Sequence, residues 1–227
     1  MTDTTLWVPV ALSTSIEPGT SAGTSIDGAE YVVWRDDKGK AHVWEDRCPH
    51  RGMRLSFGFV RGDQIACLYH GWRYDNAGQC RLIPAHPDLD VPKTIKVPTF
   101  AVVEAAGLIW AAVSPDTDRT TMPDLPEDLL SVRSLYVDAP LALCRDRLAE
   151  VSPPDMEPAE VAELSPLCLQ RTAAGSTLVI AFQPLNADRT ALHILVSASA
   201  DNQTRAQLAT WATGLRFALE NSYIRVA

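Results

Sequence analysis

The first half of the chain alternates short apolar runs with polar turns. Tyr31–Trp34 and Ala41–Trp44 flank Arg35-Asp36-Asp37-Lys38-Gly39-Lys40, the pattern of a hairpin. Phe57–Val60 and Gln64–Cys67 repeat it around Arg61-Gly62-Asp63, and Gly71–Tyr74 and Gln79–Leu82 around Asp75-Asn76-Ala77-Gly78. Further strands are expected at Ile95–Phe100 and Leu108–Val113. Many short strands with turn signals at this spacing predict an all-β sandwich or barrel. From Ser114 to Glu127, Pro, Asp and Thr dominate and the apolar periodicity is lost, as in an interdomain linker.

The second half reads differently. Leu135–Leu143 is expected as a strand, Cys144–Glu150 as a short helix or loop, and the proline- and acid-rich Val151–Pro166 as irregular. Leu167–Arg171 and Thr177–Phe182 flank a turn at Ala174-Gly175, and Leu178, Ile180 and Phe182 alternate as on a half-buried strand. Ala191–Ser197 follows the turn Asn186–Arg189. Asp201 has the chemistry of a helix N-cap. Leu208, Trp211, Ala212, Leu215 and Leu219 then share one face of a helix reaching about Tyr223. The expected fold class is α+β: an all-β domain over residues 1–115, a linker over 116–128, and a small antiparallel sheet covered by a C-terminal helix over 129–227.

Composition narrows the partners. A hydrophobic fraction of 46% over 227 residues can fill a core, and a formal charge of -8 argues against nucleic acid. An acidic surface favours solubility and would also suit a basic redox partner. Met1–Leu6 lacks the basic and apolar regions of a secretory signal. The longest apolar stretch, Thr99–Val113, is broken by Glu104 and Gly107, so no membrane span and a cytoplasmic location are expected. Five cysteines, an odd set, point to metal ligation for some of them rather than a disulfide framework.

Two segments carry chemistry: Cys48-Pro49-His50-Arg51-Gly52 and Cys67-Leu68-Tyr69-His70-Gly71-Trp72. Each pairs a thiolate donor with an imidazole donor at a strand end, so two adjacent loops can bring four ligands to one point. Zinc is the alternative on donor type alone, but zinc-finger spacing groups cysteines together and histidines together. One of each per loop suits a Rieske centre, in which two cysteines hold one iron and two histidines the other. Cys48, His50, Cys67 and His70 are the expected ligands of a Rieske-type 2Fe–2S cluster.

Those segments, with Arg73-Tyr74, Gly78-Gln79-Cys80 to Pro84 and Gly107-Leu108-Ile109-Trp110, resemble the Rieske domains of non-haem iron oxygenases, above all the oxygenase components of O- and N-demethylating monooxygenases. The resemblance covers about Leu6 to Val113. The respiratory-complex type carries an extra cysteine in each loop; here Met53, Leu68 and Tyr69 stand there, which points to the oxygenase branch and a potential of roughly −150 mV. Backbone N–H groups of Arg51, Gly52, Gly71 and Trp72 are candidate donors to the cluster sulfurs. The resemblance implies a reductase or ferredoxin electron donor, a catalytic oxygenase partner, and assembly as trimers.

It also implies a second domain of helix-grip fold that binds one iron through two histidines and a carboxylate. Cys144–Glu160 offers Asp146, Glu150, Asp155 and Glu157 but no histidine. Of the other histidines, His42 is expected exposed or half-buried on a strand, His86 on a loop surface, and His193 in the core. The second half is thus expected to be a reduced helix-grip-like domain. Cys80, Cys144 and Cys168 are expected as buried free thiols, and Trp34, Trp44, Trp72 and Trp110 as core aromatics, with Trp72 also shielding the cluster. Three functions follow: an electron-transfer protein or subunit, an oxygenase whose mononuclear iron site is unrecognised or completed by a partner, and a redox-sensing cluster protein.

Overall fold

The computed structural model describes residues 7–114, 117, 122–151, 153, 156, 160–173 and 175–224. The carboxylates Asp155 and Glu157, part of the expected linker and Ala174 lie outside the described residues.

Fifteen strands and two α-helices are described: β1 Trp7–Leu12, β2 Ser21–Ile26, β3 Ala29–Arg35, β4 Ala41–Glu45, β5 Phe59–Arg61, β6 Gln64–Ala66, β7 Arg73–Asp75, β8 Cys80–Leu82, β9 Thr99–Ala105, β10 Leu108–Ala112, β11 Leu129–Val137, α1 Leu141–Glu150, β12 Glu160–Ser165, β13 Cys168–Ala173, β14 Ser176–Asn186, β15 Arg189–Ser197 and α2 Asn202–Ile224. They form three antiparallel sheets: a six-stranded one in the order β1-β10-β9-β4-β3-β2, a four-stranded one β5-β6-β7-β8, and a five-stranded one β11-β15-β14-β13-β12. The class is α+β.

Local chemistry explains the hairpins. The Asp36 carboxylate accepts the N–H groups of Lys38 and Lys40 at 3.0 and 2.9 Å, which folds the β3–β4 turn back on itself. Asp75 does the same for Ala77 and Gln79 between β7 and β8. Asp201 caps α2 by accepting the Thr204 N–H at 2.7 Å, and this bond lowers its pKa.

Several expectations are corrected. The strand expected at Leu135–Leu143 ends at Val137 and begins earlier, at Leu129. Pro140 then sits in extended geometry as the N-cap of α1, which claims Leu141–Glu150, a run of helix formers. Within Val151–Pro166, Glu160–Ser165 is a strand whose register with β13 shifts between Glu163 and Ser165. It is an edge strand held by backbone pairing with β13 rather than by burial, so its apolar pattern is weak. The strand expected from Ile95 starts only at Thr99; before it, Lys96 makes an isolated bridge to Gln79. β1 and β2 had no counterpart in the periodicity.

The halves share their interior. One buried cluster runs from Val8 and Val10 on β1 and Val33 and Val43 in the first sheet to Leu178, Ile180 and Phe182 on β14 and Leu208 and Leu215 on α2. Another joins Trp7, Leu12, Leu108 and Trp110 to Cys168, Val179, Ala181 and Leu195. A third lies within the cluster lobe, around Trp34, Trp44, Leu55, Ile65 and Tyr74, and contains Cys48, Cys67 and Cys80. The β2–β3 turn is bonded to β14: Asp27 and Gly28 N–H donate to the Pro184 and Leu185 carbonyls at 2.9 and 2.8 Å.

Candidate metal centre

Two loops of one design form the site. In the first, Cys48 N–H donates to Met53 O and Gly52 N–H to Cys48 O, both at 2.8 Å. In the second, Cys67 N–H donates to Trp72 O and Gly71 N–H to Cys67 O, both at 2.9 Å. Each six-residue turn therefore closes identically. Each needs its fifth residue in the left-handed region, where Gly52 has φ 70° and Gly71 φ 69°. The histidine stands two places after the cysteine in one loop and three after it in the other. Asp46 braces the first loop, accepting the N–H and hydroxyl of Ser56 at 2.7 and 2.6 Å. The second loop is the connection between β6 and β7, whose register pairs Ala66 with Arg73.

The four expected residues separate into two kinds of place. Cys48 and Cys67 are buried together in the cluster-lobe core. The imidazoles lie together: His50 and His70 have ring centroids 4.6 Å apart at 63°, with His50 half-buried and His70 exposed. Trp72 stacks on His50 at 4.3 Å and 5°, which fixes that ring, and Tyr69 covers His70 at 3.9 Å. Trp72 is half-buried rather than a core residue. Without metal, burial first and then the neighbouring Cys48 push the Cys67 thiol up, against the N–H groups of Tyr69 and His70, which pull it down. The donors beside that sulfur are thus Tyr69 and His70. The N–H groups of Gly52 and Gly71, expected there, are spent inside the turns. Burial, then His70 and Arg51, lower the His50 pKa, which favours the neutral ring that a metal ligand needs.

The periodicity gave Tyr74 no role. Its hydroxyl lies 3.0 Å from Cys48 Sγ, and the side chain is wholly buried. Burial, then Cys48, hold it far above the ordinary tyrosine pKa, so it remains a proton donor. The one sequence signal was alternation on β7, which turns Tyr74 inward between Arg73 and Asp75.

These residues fit a 2Fe–2S cluster. His50 Nδ1 is buried with no hydrogen-bond partner, a lone pair without a use in the bare protein. Among the described residues no three His, Cys, Asp or Glu side chains are placed to hold one ion. A pair of sulfurs and a separate pair of imidazoles instead match two irons that each take two protein ligands.

The other histidines are otherwise engaged. His42 is buried, against expectation, because both faces of β4 are covered. Its Nε2 lies 3.3 Å from Asp36, and its ring stacks on Trp34 at 4.3 Å. His193 is enclosed, with Ser134 Oγ 2.8 Å from Nδ1 and Gln183 Oε1 3.1 Å from Nε2. His86 is exposed. Cys80, Cys144 and Cys168 are buried free thiols.

Residues 6–101 match the family described as Rieske [2Fe-2S] domain. This stretch of the chain is a Rieske domain. Its cofactor is a Rieske-type 2Fe–2S cluster, and the chain is related to the Rieske non-haem iron oxygenases. It is 39% identical to oxidoreductase NdmD of Pseudomonas putida over 112 residues, 49% of this chain and 19% of that protein. It is 42% identical to methylxanthine N1-demethylase NdmA of the same organism over 96 residues, 42% of this chain and 24% of that protein. The match thus spans a quarter or less of either relative. The crystal structure of dicamba monooxygenase is similar in fold, with a TM-score of 0.78 at 19% identity over 99% of this chain and 88% of the other. That likeness extends past the Rieske domain into the second half. No helix among the described residues is long and apolar enough to cross a membrane.

Proposed function

We propose that Cys48 and Cys67 hold one iron of the cluster and His50 and His70 the other, and that the chain relays single electrons from a reductase or ferredoxin to a catalytic partner. The observation that carries this is the twin-loop geometry, in which each loop gives one buried cysteine and one of two adjacent imidazoles, His70 being the exposed one. When bound, the cluster accepts and releases one electron at a time. The Rieske domain's side chains do the rest. The core around Leu55, Ile65 and Trp44 keeps water from the cysteines. Trp72 holds His50 in place, and exposed His70 offers the edge through which an electron leaves or enters. In this reading residues 1–115 are the cluster domain and 129–227 a reduced helix-grip-like domain.

A second reading keeps oxygenase activity, with a mononuclear iron site completed by a partner chain. The fold likeness to dicamba monooxygenase over nearly the whole chain favours it. Against it, both nitrogens of His193 are occupied, and His42 is committed to Asp36.

Iron and sulfide analysis, with an electron paramagnetic resonance spectrum of the reduced protein, separates the readings. Two irons and two sulfides per chain support the relay; a third iron supports the oxygenase. Cys48→Ser and His70→Ala should each abolish the visible absorption of the cluster. A full 2Fe–2S spectrum in either variant refutes the ligand assignment.

A further inference from the structure

The seam between the two halves holds a crevice of about 510 Å³, a volume that suits a small molecule. One side comes from the Rieske domain, with Val10 and Leu12 on β1, Ile16, and Ala22 and Thr24 on β2. The other comes from β11 and from His193 on β15. None of the described residues that line it is Asp or Glu. The one arginine there, Arg133, turns its guanidinium to α2, donating to Ala209 O and Thr213 Oγ1 at 3.3 and 2.7 Å. The crevice is therefore aliphatic with a few hydroxyls, and it holds no ionic anchor.

A chain of hydrogen bonds behind its wall has a fixed direction. Gln183 Nε2 donates to the Ser25 carbonyl at 2.8 Å and to Thr24 Oγ1 at 2.7 Å. A carbonyl only accepts, so the amide cannot be turned round. Gln183 Oε1 consequently faces His193 Nε2 at 3.1 Å, and that nitrogen carries the ring proton. Burial lowers the His193 pKa to about 4, so the ring is neutral above that. Nδ1 is left as a lone pair, and Ser134 Oγ, 2.8 Å away, spends its proton on it. The half-buried Ser134 oxygen on the crevice wall thus has lone pairs to offer and no hydrogen. Thr24 Oγ1, having accepted from Gln183, keeps its own proton to donate.

We propose that this crevice binds a small neutral hydroxyl compound of the phenol class, whose O–H donates to Ser134 Oγ while its apolar body packs on Val10, Leu12 and Ile16. A hydroxyl suits the wall because it gives a proton to Ser134 and accepts one from a donor such as Thr24. A carboxylate brings only acceptors to Ser134, and its charge would lose water against aliphatic side chains. A protonated amine finds no carboxylate to balance it. An ether of the same shape has no proton to give. The site is separate from the cluster and does not depend on the relay. A ligand seated there touches both halves at once and so stabilises their seam.

The test uses the full chain with its cluster loaded and three probes of similar shape: 2-naphthol, 2-methoxynaphthalene and 2-naphthoate. Equilibrium dialysis measures their binding. 2-Naphthol should bind roughly tenfold more tightly than either analogue and should raise the melting temperature. Ser134→Ala should erase the preference, and Ser134→Thr, which keeps the hydroxyl, should retain it. Should Ser134→Ala fail to fold, Ala22→Trp decides: Ala22 is exposed on the crevice wall and outside the hydrogen-bond chain, and an indole there should block 2-naphthol. Equal affinity for the three probes overturns the site. So does a preference that survives Ser134→Ala with the cluster spectrum and melting intact, or 2-naphthol binding that Ala22→Trp leaves unchanged.

Discussion

Tyr74→Phe should lower the reduction potential of the cluster by roughly 40 mV. The perturbation is small in volume: the ring stays in the core with Leu55, Ile65 and Cys80, and one hydroxyl 3.0 Å from Cys48 Sγ is lost. With the sulfur held as a thiolate ligand, the hydroxyl is the donor. A hydrogen bond to a charged acceptor contributes about 1.5–3 kcal/mol. Only the part that strengthens when an electron adds negative charge near the sulfur moves the potential. Taking a third to a half of the bond as that part gives about 1 kcal/mol, and a one-electron couple shifts ~59 mV for each tenfold change in equilibrium constant, or ~1.4 kcal/mol. The sign follows from the donor stabilising the reduced, more negative state. A redox titration followed by visible circular dichroism or electron paramagnetic resonance measures the shift. A potential that stays put or rises in a variant with full cluster content would refute the reasoning.

Two further outcomes concern the scaffold. At Gly58 an added Cβ would lie 2.2 Å from the Ala66 carbonyl oxygen and 2.9 Å from that of Leu55, both backbone, one residue before Cys67. Gly58→Ala should therefore cost about 3 kcal/mol or more and impair cluster loading. Gly62→Ala meets open space at φ 63° and should cost only about 1 kcal/mol; equal urea midpoints for the two would contradict this. Burial pushes the His193 pKa down from 6.5 to about 4. Between those values the unfolded chain binds a proton that the folded chain refuses, so stability is full above that window and falls as pH drops through it, by roughly 3 kcal/mol. His193→Gln should flatten that slope in urea titrations from pH 7 to pH 4.5, and an unchanged slope would assign it to other groups.

The cluster loops were legible because their chemistry is local: a donor pair and a glycine within six residues specify each turn. The β3–β4 hairpin and α2 were legible for the same reason, through the Asp36 turn and the Asp201 cap. What escaped depends on tertiary context. β1 is buried at every position, so it shows no alternation, and it contains Pro9. β2 is a small, polar edge strand, Ser21–Ile26, held by its pairing with β3. β12 is likewise an edge strand, with Glu160 and Val161 exposed. Tyr74 meets a cysteine 26 residues away, and only the sheet brings them together. The burial of His42 is likewise tertiary: a strand in the middle of a sheet can be covered on both sides, and the sequence does not say from where.

The Trp7, Leu12, Leu108 and Trp110 wall, pressed against Val179, Ala181 and Leu195, bears on how this Rieske lobe can be handled. Severing the chain after residue 115 would leave two indole rings and two leucines facing water, on a piece still able in principle to form both cluster loops. Such a fragment should be sticky and prone to self-association. The lobe is not a portable cassette: its metal chemistry is local, but its solubility is lent to it by the other half.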